Sequence, residues 1–236
     1  MKTILNILLV AAACLLGYMC YESIQMPVQF KNEVARREAV IIQRMKDIRT
    51  IQEAHRDMKQ VYCDNWKELI EFAKTAQVPI VNKIGTLTDA QLQDGLNEKD
   101  AWKYLQDEKK YKKEIEKFGL SRETFSRDTV YVPLLQNDSA LSRKGFNIDS
   151  ICFVPYTQQP GMQRPDTFLL EVGSITTQSG YQMSLFQANT PYTAYLWDLN
   201  PQEVANKIDD RKSQDKYPGL QVGDATEANN NAGNWE

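Results

Sequence analysis

Hydrophobic positions along the chain change their spacing three times, and each spacing predicts a different element. Residues 4–21, ILNILLVAAACLLGYMCY, carry no charge, with Asn6 as the strongly polar exception. A helix over that run is about 27 Å long, close to the roughly 30 Å hydrocarbon thickness of a bilayer. Tyr18 and Tyr21 fall at its far end, where interfacial aromatics are expected. Pro27 then interrupts the chain, and a new periodicity starts. Val34, Ile41, Met45, Ile48, Ile51, Met58 and Tyr62 recur at steps of three and four or their sums, which predicts one apolar face on a helix from Phe30 to Tyr62. At about 50 Å that helix is longer than a small domain can cover. Its membrane-proximal half is therefore expected to seek a partner helix.

Asp64-Asn65 offers a turn and an N-cap for a short helix beginning at Trp66, and Val78-Pro-Ile-Val reads as a brief extended piece. Thr88–Phe118 reads as two helices, the second rich in Lys and Glu. Its mixed charges predict a solvated face with pairs such as Glu108 and Lys112. Strand composition marks Asp128–Leu135, Ser150–Tyr156, Thr167–Ile175 and Tyr181–Ala188, with Ser179-Gly180 as a hairpin tip. Residues 157–166 read as a loop, and Asn200-Pro201 opens a short helix to about Ser213. The stretch from Tyr217 to Glu236 reads as an irregular tail. Helices first and strands afterwards predict an α+β fold: a transmembrane helix and a long amphipathic helix packed on a C-terminal antiparallel β-sheet head. The expected segments are an anchor at 1–23, the amphipathic helix at 24–63, a helical and loop insertion at 64–148, and the β-rich head with its C-terminal loop at 149–236.

Composition removes several classes of function. Lys and Arg total 28 against 31 for Asp and Glu, so no excess of basic charge points to nucleic acid. One histidine, His55, cannot build a multi-histidine metal centre within one chain. Phosphate-cradling glycine motifs, G-x-S-x-G and H-E-x-x-H are absent. His55 lies between Ile51 and Met58 on the apolar face and reads as a packing histidine. Two helical turns separate it from Cys63, too far for a hydrogen bond along a continuous helix. Cys14 and Cys20 fall in the apolar run; Cys63 and Cys152 fall outside it, and could pair in an oxidising compartment or stay as buried thiols. Asn137-Asp-Ser fits a glycosylation sequon. The tail offers Asp224, Glu227, Asn229 and Asn231, hard oxygen donors suited to calcium, although their spacing does not match an EF-hand.

The first segment has two readings. Apolar residues continue through LLGYMC, as a retained anchor requires. Ala11-Ala12-Ala13 and Cys14 would instead suit a cleaved signal or a lipoprotein. Lys2 favours an N-terminus inside and the bulk outside, against Lys31, Arg36 and Arg37 beyond the run.

Two stretches resemble a family. Asp47-Ile-Arg-Thr-Ile-Gln-Glu-Ala-His-Arg with Val61-Tyr-Cys-Asp-Asn-Trp-Lys-Glu-Leu-Ile is similar to the helix-to-loop passage of type II secretion pseudopilins. Tyr217-Pro-Gly-Leu-Gln-Val-Gly-Asp and the closing Gly233-Asn-Trp-Glu resemble the major pseudopilin's C-terminal loop, which holds calcium in that family. The same ending resembles that of single-anchor proteins of Bacteroides-type bacteria. Unlike pilins, the chain has no glutamate within its apolar run, which starts at Ile4. The resemblance implies a non-enzymatic subunit of the inner membrane, crossing once and mostly periplasmic. It would associate through Val34, Ile41, Met45, Ile48, Ile51 and Met58 with copies of itself or with other pilin-like or envelope assembly subunits. No nucleic acid and no cofactor other than calcium is expected. The alternative reading is a single-anchor periplasmic binding module for a glycan, a peptide or an envelope protein, using the loops at 157–166 and 224–236.

Overall fold

A computed structural model describes residues 2–177 and 180–236. It is a mixed α+β protein with a long apolar N-terminal helix and two small antiparallel sheets. In chain order the elements are α1 (Lys2–Lys59), α2 (Trp66–Thr75), β1 (Gln77–Ile84), α3 (Asp89–Gln93), α4 (Glu98–Gln106), α5 (Lys112–Phe118), β2 (Ser126–Pro133), α6 (Leu134–Asn137), β3 (Leu169–Thr176), β4 (Gln182–Pro191), α7 (Tyr192–Tyr195), α8 (Pro201–Ser213) and β5 (Gly219–Gly223). The chain divides into two compact units, one made of the residues up to Ala73 with Gly145–Glu236, the other of Lys74–Lys144.

In the first unit the strands lie in the order β3-β4-β5, all antiparallel, and α1 packs on β5. Leu169 pairs with Asn189 and Thr176 with Gln182; Gln187 pairs with Gly223 and Pro191 with Gly219. Central β4 contributes the buried Leu185, Phe186 and Ala188, and β5 contributes Leu220 and Val222. Helix α1 supplies Val34, Ile41, Met45, Ile48 and Ile51, the last four without exposed surface. Burying each such side chain stabilises by about 1.5–3 kcal/mol.

That burial corrects the expectation of an interaction face. Val34, Ile41, Met45, Ile48 and Ile51 are covered by the chain's own head, because sheet and loops reach further along α1 than a small domain was expected to. Met58, in the last helical turn, is 47% exposed. The expected interruption at Pro27 is likewise absent, as α1 runs through it. Proline removes one backbone donor, that which would reach the Ser23 carbonyl, and leaves the rest of the ladder intact.

Further differences concern the strands. Ser150–Tyr156 forms no strand: a 3-10 turn at Ile148–Ser150 leads into tight turns, with one bridge from Phe153 to Thr167. Arg44 of α1 donates to the carbonyls of Ser150 and Phe153 at 3.2 and 2.7 Å, so this stretch spends acceptors on a side chain instead of a ladder. The tail is less irregular than expected. β5 opens it, Val222 bridges Gly233, and the Asn234 amide N–H reaches the Gln221 carbonyl at 3.0 Å. Gly223 (φ +71°) turns the chain back, where a Cβ would stand 2.2 Å from the Phe186 carbonyl oxygen. In the expected hairpin tip, Gly180 donates to Thr177 while Ser179 lies outside the described residues.

In the second unit β1 and β2 pair with one another, from Gln77 opposite Pro133 to Ile84 opposite Ser126. The strand expected at Asp128–Leu135 thus begins earlier, ends at Pro133 and belongs to this separate ribbon. Three helices, not two, fill Thr88–Phe118. Thr88 caps α3 in a capping box with Gln91, and Asn97 caps α4, so the first two of these helices each have their own start signal. Leu87, Leu96, Ala101, Leu105, Leu120 and Phe125 make a separate core. Glu108, beyond the end of α4, pairs with Arg122 at 2.9 Å, and Lys112 pairs with Glu116.

Replacing Ile48 with alanine is expected to lower stability by about 2–5 kcal/mol. Val40→Ala, at a part-exposed position of the same helix, should change it by less than about 0.5 kcal/mol. Urea unfolding of the two variants checks the contrast.

Candidate functional site

Helix α1 has two parts with opposite surroundings. Ile7, Leu9, Val10, Leu15, Leu16, Tyr18, Met19, Tyr21 and Ile24 are all more than half exposed, and Cys14 and Cys20 are exposed with them. This part of α1 is long and apolar enough to cross a membrane. From Val34 onward the same helix is the core of the first unit.

Near the start of the buried part sits a buried arginine. Arg37 donates to both carboxylate oxygens of Asp198, at 2.5 and 2.8 Å, to the Tyr195 carbonyl at 2.8 Å and to Glu33 at 2.8 Å. Its guanidinium also lies over the Tyr156 ring, 5.4 Å from the centroid. The hydrogen bond from Arg37 holds the Asp198 carboxyl below its ordinary value. Hydrogen bonds from Arg36 and then Arg37 draw Glu33 down from 4.5 to about 2. Tyr195 is fully buried, donates to Glu38 at 3.1 Å, and burial pushes its phenol well above the usual range.

At the other end α1 holds the C-terminal tail. Arg49 donates to the Asn231 carbonyl at 3.2 Å and to Glu236 at 2.8 Å, and the Asn231 amide donates to Glu53 and to the Tyr62 hydroxyl, each at 3.0 Å. Asn230 and Asn231 occupy the left-handed region, at φ 54° and 56°, which asparagine tolerates better than most residues. Asn234 locks the tail to β5, its amide donating to the Gly219 carbonyl at 2.9 Å.

These bonds also involve the residues expected as calcium donors. Asp224 Oδ1 accepts from the Thr226 hydroxyl and from the backbone of Thr226 and Glu227, which holds its carboxyl below the ordinary range. Asn229 leans on the Ala232 carbonyl, and Asn231 is drawn under α1. Asp224 Oδ1 and Asn231 are thus each engaged by different protein partners.

The cysteine pairing is not formed: Cys63 and Cys152 are both buried free thiols, and burial pushes both up in pKa. Cys63 instead sits beside His55, which corrects the two-turn separation expected between them. α1 stops at Lys59, Gln60 takes a left-handed conformation (φ 65°), and the chain doubles back. Buried Gln52 secures the return by bonding both the amide and the carbonyl of Cys63, at 3.0 and 2.7 Å. The Val61 carbonyl accepts from His55 Nδ1 at 2.7 Å, and the imidazole meets the Phe72 ring edge to face at 4.8 Å. Asn65 then caps α2, whose first turn presents Glu68. Sequence spacing had no means of bringing Glu68 into this group, because the reversal at Gln60 has no glycine to announce it.

No family model matches the chain, and no curated protein or solved structure matches it significantly.

Acid should loosen the Arg37 clamp. Depressed carboxyls contribute stability that is complete above their unfolded values, 3.8 for Asp198 and 4.5 for Glu33, and that is lost as pH falls through their lowered folded values, about 2 for Glu33. The melting temperature of the wild type should therefore fall more steeply over this window than that of Asp198→Asn. Asn231→Ala should cost about 1–3 kcal/mol, since Glu53 and Tyr62 lose a buried partner; chemical denaturation measures it.

Proposed function

We propose that this protein is a non-enzymatic, single-pass assembly subunit of the cell envelope, similar in plan to a pseudopilin, with its head on the periplasmic side of the inner membrane. The observation that supports the reading is the division of one uninterrupted helix. Among the described residues, the large apolar side chains from Ile7 to Ile24 are bare, whereas Val34, Ile41, Met45, Ile48 and Ile51 further along the same helix are core. Bare apolar side chains over such a length are at home in lipid or against other helices in lipid. Association therefore runs through the exposed part of α1, with copies of itself or with other envelope subunits, and not through Ile41, Met45, Ile48 and Ile51, which the head already covers.

A second reading rests on that same burial. With its inner stripe covered, the head needs no partner helix, and on this reading the anchor serves only to tether a binding module for a glycan, a peptide or an envelope protein. Exposed apolar side chains on the β1–β2 ribbon, Val81, Ile84, Val130 and Tyr131, would suit such a role.

Cys14 and Cys20 separate the two readings because they lie on the bare part of α1. Mild oxidation of native membranes should trap a covalent adduct of the chain with a neighbouring helix, and the Cys14→Ser/Cys20→Ser variant should give none. A chain that forms no adduct and runs as a monomer in mild detergent would overturn the assembly reading in favour of the tethered module.

A further inference from the structure

The reversal after α1 gathers three side chains that offer nitrogen, sulfur and oxygen donors. A ring nitrogen of His55, Sγ of Cys63 and a carboxylate oxygen of Glu68 lie within 4.8 Å of one another. His55 is only 2% exposed, and its Nε2 is buried with no hydrogen-bond partner. A backbone carbonyl can only accept, so in the neutral ring Nδ1 carries the hydrogen and Nε2 presents a lone pair. An imidazole fixed in this way, by donation from its other nitrogen to a carbonyl, is the usual arrangement of a metal-ligating histidine.

We propose that His55 Nε2, Cys63 Sγ and the Glu68 carboxylate bind a divalent transition metal of the zinc class. Nitrogen, sulfur and oxygen together suit a borderline-soft ion, and three protein ligands leave a fourth position for water or an external ligand. Donor atoms around tetrahedral zinc stand roughly 3.3–3.8 Å apart, given the usual metal–ligand distances. Closing from at most 4.8 Å asks for about an ångström of movement, toward which the half-exposed Glu68 side chain is free to rotate. As the sulfur–metal bond forms, the Cys63 thiol proton leaves to solvent, so that two anionic ligands face the dication. Lys59, which pairs with Glu68 at 3.3 Å and is also half-exposed, turns to water when the metal takes the carboxylate.

The gathering does not depend on membrane assembly, because all three ligands and the Gln52 brace that positions Cys63 belong to the first unit. Cobalt(II) is the probe, added to the full chain in detergent on the Cys14→Ser/Cys20→Ser background. This background should develop a thiolate-to-cobalt charge-transfer band in the near ultraviolet, saturating at one equivalent and bleached by zinc. Adding Cys63→Ser should abolish the band, and adding Cys152→Ser, at the other buried thiol, should leave it in place. Glu68→Gln, at a half-exposed position where folding is not at stake, should weaken cobalt binding at least about tenfold, as loss of one of three ligands requires. Absence of the band in the background protein, its survival in Cys63→Ser, or unchanged affinity in Glu68→Gln would overturn the proposal.

Discussion

Four side chains of α1, Ile41, Met45, Ile48 and Ile51, have to be kept from water, and the first unit is arranged around doing so. Sheet β3-β4-β5 supplies a layer whose inward residues match them in kind, and α1 meets it at β5. A helix stripe and one face of a sheet cannot stay dry alone, so each completes the other. Among the described residues, the large apolar side chains from Ile7 to Ile24 have no such cover within the chain. The same rod therefore has one part suited to lipid and one part already satisfied by protein.

Apolar burial is not directional and would allow the helix to slide or turn against its sheet. Arginines along α1 remove that freedom. Arg37 grips Asp198 with two parallel hydrogen bonds, Arg44 reaches the carbonyls around Phe153, and Arg49 holds Glu236 and the Asn231 carbonyl. A planar guanidinium accepts only a narrow range of partner geometries, which makes it a better register mark than a lysine would be. The C-terminal tail gains its order from the same source. Its backbone runs beside β5 while Asn231 and Glu236 are tied to α1, so tail, sheet and helix are joined at one place.

Polar braces also explain how α1 ends. Gln52 satisfies both backbone groups of Cys63, and His55 satisfies the Val61 carbonyl, so the reversal at Gln60 buries few unmet polar groups. His55 Nε2 is left over. The reversal turns residues that would be strung along a helix into neighbours on one side of its end. Lys74–Lys144, by contrast, carries its own ribbon, capped helices and apolar cluster.

Much of this was legible in local sequence. The apolar run at 4–21, the stripe from Val34 to Ile51, the capped starts of α2 and α8, and the strands near 169 and 182 all follow from spacing and cap chemistry, which act within a turn or two of chain. Those signals report that a face is apolar without reporting what covers it. Hence the stripe could be read as an assembly surface until the sheet was seen lying on it. Ser150–Tyr156 has strand composition but gives its carbonyls to Arg44, a residue over a hundred positions away. Asp224 and Asn231 have the atoms of calcium ligands, but Asn231 is drawn to Glu53 and Tyr62. His55, Cys63 and Glu68 come together through a left-handed glutamine that no local preference predicts. The sequence by itself determined which segments are helix, which faces are apolar and which donors exist, because those depend on neighbours along the chain. Only the tertiary structure decided which faces are covered and which donors meet, because hydrogen bonds and burial depend on neighbours in space.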